Sequence, residues 1–96
     1  EMAMTQTAGI IEEKLRAAFA PAHLEIIDES HLHAGHSGAR PEGETHFRVV
    51  VVANAFDGLS RLQRQRSVMD ALAEELAGPV HALAIRARTP AEHGDS

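Results

Sequence analysis

THFRVVVVA, residues 45–53, decides how the chain folds. A run dense in β-branched and aromatic residues is the pattern of a strand. Phe47, Val49 and Val51 fall on one face, and His46, Arg48, Val50 and Val52 on the other. Two further runs join it. VHALAIRAR (80–88) puts His81, Leu83, Ile85 and Ala87 on one side and Ala82, Ala84, Arg86 and Arg88 on the other; LEIIDES (24–30) is short and rich in branched residues.

Around these strands the apolar spacing changes to that of helices. Ile11, Leu15, Ala18 and Phe19 recur with Glu12, Glu13, Lys14 and Arg16 between them, which predicts an amphipathic helix over about 6–19, ended by Pro21. Asn54 to Gly58 is a turn, and Ser60 is the N-cap of a second helix running to about Ala77. Its predicted apolar stripe is Leu62, Met69, Leu72, Ala73 and Leu76, with Gln65 at the edge of the core and in need of a partner. Gly78 and Pro79 stop that helix. The order helix, strand, strand, helix, strand predicts an α+β domain: a three-stranded sheet covered by helices on one face. One domain over 1–96 is expected, with frayed tails at about 1–5 and 90–96.

Composition narrows the chemistry. The chain has no cysteine, which excludes disulfides, thiolate nucleophiles and any metal site built from its own thiolates. No apolar run is long enough to span a membrane, and the first residues have neither a basic start nor an apolar core of a signal peptide, so a cytoplasmic protein is expected. The net charge of −5 weighs against nucleic acid as the main partner. Basic residues are nevertheless concentrated: Arg48, Arg61, Arg64 and Arg66 lie in a stretch whose only acid is Asp57. A patch using Arg61, Arg64 and Arg66, with Arg86 and Arg88 nearby, suits either phosphate or an acidic partner, and equally a solvated charged face.

Histidine is the other compositional signal, with seven residues. Residues 31–44, HLHAGHSGARPEGE, form a long glycine-rich loop that holds His31, His33 and His36. Glycines give such imidazoles freedom to converge on a ligand, but HAGH is too loose for a closed mononuclear zinc site. The GxxG at Gly35–Gly38 lies between strands, unlike the helix-joining loop of RNA-binding KH domains. His81 opens the last strand on the face of Leu83 and Ile85, a half-buried, pre-oriented position that suits a metal ligand or a core-edge histidine with one backbone hydrogen bond. No nucleophile–base–acid constellation is visible, and a non-enzyme is expected.

The strings DES (28–30), HAGH (33–36), ETHFRVVVV (44–52), FDGLSRLQRQR (56–66) and LAEELAGPVHALAIRARTPAE (72–92) together resemble the BolA family. The resemblance implies a class II KH-like α-β-β-α-β fold. It also implies a heterodimer with a monothiol glutaredoxin around a 2Fe–2S cluster, in which the partner and glutathione supply thiolates and this chain supplies imidazole. One family ligand maps to His81, and the other maps to His33, with His36 its rival. Neutral imidazole in place of thiolate raises the potential of such a cluster and makes its binding acid-sensitive. The alternative implied by the family is a DNA-binding regulator that uses Arg61, Arg64 and Arg66. Gln65 stands where the family usually has a histidine between two arginines; it can donate a hydrogen bond but cannot titrate.

Overall fold

The computed structural model describes residues 6–29 and 46–94. The elements are α1 (Gln6–Phe19), β1 (His23–Asp28), β2 (His46–Val52), a 3₁₀ turn (Asn54–Phe56), α2 (Arg61–Ala71), α3 (Ala73–Ala77), β3 (Ala82–Arg88) and α4 (Pro90–Gly94). The sheet order is β1-β2-β3, with β2 in the centre. β1 pairs antiparallel with β2, Leu24 opposite Val51 and Ile26 opposite Val49. β3 pairs parallel with β2, Phe47 beside Leu83 and Val49 beside Ile85. The result is the expected α+β arrangement.

The alternation in β2 explains where the core sits. Phe47, Val49 and Val51 are buried and meet Ala8, Ile11 and Leu15 of α1, Val68 and Leu72 of the second helical region, Ala53, Phe56 and Val80. Leu24, Ile26, Leu83, Ile85 and Ala87 from the flanking strands pack against that cluster. Helices therefore cover one face of the sheet, while Arg48, Ala82, Ala84 and Arg86 on the other face are exposed. α1 ends at Ala20, whose φ of 46° is left-handed, and Pro21 follows so that the chain turns into β1.

The second helix departs from expectation in two ways. It breaks at Leu72 (φ −111°, ψ 24°) into α2 and α3. Its buried face is Val68, Leu72 and Glu75, while Leu62 and Met69 are 58% and 46% exposed. The inward face is turned toward polar residues that have partners there. Gln65 Nε2 donates to the Ile85 carbonyl at 3.0 Å, which supplies the partner its position required. Arg64 and Glu75 are similarly engaged, as described below.

Residues 90–94, expected as a frayed tail, form α4. The reason is a reciprocal cap: Thr89 N donates to Glu92 Oε1 at 2.9 Å and Glu92 N donates to Thr89 Oγ1 at 3.2 Å. Pro90 occupies the first helical position, where its missing N–H costs nothing. Ser60 and Gln63 cap α2 in the same reciprocal way, at 3.1 and 2.8 Å.

Candidate metal-ligand end of the sheet

His81 is placed by the turn that ends α3. Gly78 N and Val80 N both donate to the Glu75 carbonyl, at 3.1 and 3.0 Å. A side chain at Gly78 would come within 3.3 Å of the Glu74 carbonyl, which favours glycine there. The Glu75 carboxylate is itself held by Lys14 Nζ of α1 at 2.8 Å, and the same ammonium reaches Glu74 at 2.6 Å. These two carboxylates raise the Lys14 pKa, and Lys14 lowers that of Glu74. With Val80 buried in the core, the next residue emerges at the end of the sheet.

The structure corrects one detail of the sequence reading. β3 starts at Ala82, so His81 precedes the strand, and it is exposed rather than half-buried. His46, on the same face of β2 as Arg48, is half-buried, and its ring lies 6.4 Å from that of His81, tilted by 58°. The sequence reading missed this pairing. It follows from the parallel register that sets His46 beside Ala82.

Glu29 N donates to the His46 carbonyl at 2.8 Å, and Arg48 Nε bonds Glu29 Oε2 at 2.9 Å. Residues 29 and 46 thus meet at this end of the sheet, and the connection that carries His33 and His36 leaves and re-enters here. His33 and His36 themselves lie outside the described residues. Among the described residues no group of three or more His, Asp or Glu side chains could hold a metal ion. A second imidazole pair, His23 and His93, stacks at 5.1 Å, with His23 Nε2 2.7 Å from Glu25 Oε2. It sits at the opposite end of the sheet, since His23 pairs with Val52.

Of the three candidate arginines, Arg64 is turned into the fold. Its side chain is 13% exposed. Nε donates to the Leu59 carbonyl at 3.0 Å, Nη1 to the Ala87 carbonyl at 3.2 Å, and Nη1 and Nη2 to the two oxygens of Glu92 at 2.7 and 3.1 Å. Arg61 and Arg66 are exposed. The Arg64 fork, with the Thr89 amide, lowers the Glu92 pKa to about 2. A folded-state pKa below the ordinary value of about 4.3 means that the contribution is complete above that value and is lost as pH falls toward about 2. Glu92→Gln should therefore flatten the acid limb of a Tm-against-pH curve between about pH 4.5 and 2, and an unchanged limb would contradict this role.

These elements and their order are matched by known proteins. The sequence fits the BolA-like protein family over residues 15–92. The chain belongs to the BolA-like family. It is 58% identical over 82 residues to BolA-like protein 1 of Homo sapiens, covering 85% of this chain and 57% of that protein. It is 49% identical over 79 residues to the DNA-binding transcriptional regulator BolA of Escherichia coli K12, covering 82% of this chain and 71% of that one. In structure it is similar to the BolA domain of SufE1 from Arabidopsis thaliana, with a TM-score of 0.84 and 43% identity over 94% of this chain and 99% of that one. The chain spans less than two thirds of the length of the mammalian BolA-like protein 1 sequences, 60% in Pongo abelii and 57% in Homo sapiens. No helix among the described residues is long and apolar enough to cross a membrane.

Proposed function

We propose that this BolA-like chain is a non-enzymatic cytoplasmic adaptor that binds a monothiol glutaredoxin and co-ligates a 2Fe–2S cluster through histidines, in iron–sulfur assembly, trafficking or iron regulation. The observation that carries the reading is the position of His81: exposed, at the end of the sheet where the His33 and His36 connection joins β1 to β2. The donor set fits half a cluster. A 2Fe–2S centre takes four ligands, and imidazoles can replace two of the thiolates. These 96 residues have imidazoles and no cysteine, so they supply no thiolate, and the family resemblance implies that a glutaredoxin and glutathione do. The cluster would supply electron exchange or iron and sulfide for transfer. The protein's own part is to hold His81 on a turn fixed by Glu75, with its ring free to meet a partner.

The test is reconstitution with a monothiol glutaredoxin and glutathione, followed by visible circular dichroism and EPR of the reduced state. Wild type should give a mixed thiolate–imidazole signature, and either His33→Ala or His36→Ala should lose it, which names the second ligand. Absence of both heterodimer and cluster would overturn the reading.

A second reading, a DNA-binding regulator, is supported by the name of the E. coli relative and by the exposed Arg61 and Arg66. It requires duplex binding with a steep salt dependence that Arg61→Gln or Arg66→Gln flattens. No binding at about 50 mM salt would remove it.

A further inference from the structure

A groove of about 620 Å³ runs along the free edge of β3, between that edge and the start of α2. Arg61, Arg86 and Arg88 line it, together with Leu59, Gln65 and Ile85. It lies away from the candidate metal-ligand end. Its nearest lining residue on β3, Ile85, is three residues from Ala82, about 10 Å at about 3.3 Å per residue, and its farthest, Arg88, about 20 Å.

The backbone at this edge is specific. Ala53 N donates to the Arg88 carbonyl, so Arg88 and its alternate neighbours direct their peptide groups toward β2. Ile85 and Ala87 therefore direct theirs outward, which is why their carbonyls accept from Gln65 and Arg64. The third carbonyl of the lining, that of Leu59, also accepts from Arg64. Glu92, the acid at the rim, is committed to Arg64 and to the Thr89 amide. What remains is a set of donors: the amides of Ile85 and Ala87, and three guanidinium groups that form no ion pair among the described residues. The amide oxygen of Gln65 is the one acceptor left on a lining side chain.

We propose that this groove binds a phosphate group, free or carried by a small molecule. A ligand that only accepts hydrogen bonds matches a lining that almost only donates them. Guanidinium forks and outward backbone amides are the groups that recognise phosphate. An added peptide strand is disfavoured because the carbonyls it would need as acceptors, those of Ile85 and Ala87, are occupied by Gln65 and Arg64. The volume is that of a small-molecule site rather than a duplex footprint.

The experiment is a titration of the whole chain at low salt, followed through backbone amide NMR shifts. Inorganic phosphate and AMP are the two probes. The amides of Ile85 and Ala87 should shift saturably. Equal affinity for the two would identify free phosphate as the ligand; tighter binding of AMP would identify an organic phosphate that also uses Leu59 and Ile85. Arg86→Gln combined with Arg88→Gln should weaken binding at least tenfold, and Arg66→Gln, outside the groove, should leave it unchanged. Shifts that do not saturate by ~10 mM phosphate or AMP, an affinity too weak for a built site, would overturn the proposal. So would shifts that survive in the double variant. A duplex oligonucleotide that displaces AMP from these amides at far lower concentration would overturn it in favour of nucleic acid.

Discussion

Replacing Phe56 with alanine should cost the folded state about 3–5 kcal/mol, the usual range for deleting a buried aromatic ring. Phe56 is fully buried in the 3₁₀ turn that links β2 to α2. It stacks obliquely on Phe19 of α1, with ring centroids 5.0 Å apart, and belongs to the same cluster as Val51 and Val68. Its ring thus joins the first helix, the central strand and the second helix. The chain has only two other phenylalanines, Phe19 and Phe47, and both already take part in packing this core. A domain of this size has roughly 5–14 kcal/mol of total stability. The loss is therefore about a fifth or more of the whole, and Tm should fall by on the order of 20 °C. Urea and thermal unfolding would measure it. A loss below about 1.5 kcal/mol would mean that the turn collapses onto the vacated volume and that Phe56 does not organise the core.

The sheet was legible in the sequence because β2 is a dense run of β-branched residues with one wholly apolar face. Phe47, Val49 and Val51 are apolar and buried, and one observation fixes the strand and its inner face together. The second helix was less legible for a physical reason. Polarity places Arg64 and Glu75 outside and Leu62 and Met69 inside, and the structure does the reverse. Arg64 is accepted inside because Glu92 and two carbonyls use its donors, and Glu75 because Lys14 reaches it. Those partners lie on other elements, and single-helix periodicity carries no information about them. The exchange has a cost that remains visible in the fold, since Glu75 Oε1 is buried with no hydrogen-bond partner among the described residues.

α4 is a different kind of omission. TPAE (89–92) contains threonine, proline at the next position and glutamate three after the threonine, which is the capping-box pattern with proline at the first helical position. The signal was present in the sequence and is realised in the bonds between Thr89 and Glu92. The candidate site is legible only in part. His81 stands out by its place before an alternating strand, but the neighbouring His46 becomes visible only once β2 and β3 are known to be parallel and in register. The exposed Leu62 and Met69, seven residues apart on α2, were hidden by the same phase error that concealed Val68.

His81→Ala should abolish the mixed thiolate–imidazole spectrum of a glutaredoxin heterodimer while leaving the isolated chain folded. The two halves of that expectation have separate physical origins. His81 is exposed and outside β3, and the turn that carries it is closed by the Glu75 carbonyl and the buried Val80 rather than by the imidazole. Truncation at such a surface position ordinarily changes stability by no more than about 0.5 kcal/mol. Cluster ligation, by contrast, loses a direct bond that no cysteine in this chain can replace. His46→Ala gives the internal comparison. Its ring lies 6.4 Å from that of His81, a packing contact and not a ligand position. His46→Ala should therefore weaken the holo heterodimer by less than the roughly 10–100-fold of a hydrogen-bonded orienting partner and preserve the spectrum. A His81→Ala heterodimer with an unaltered histidine-ligated spectrum would show that the imidazoles come from elsewhere in the chain. A spectrum lost in His46→Ala and retained in His81→Ala would transfer the ligand role to the first residue of β2. Loss in His81→Ala alone would leave the exposed turn after α3 as the point where this BolA-like fold meets its cluster.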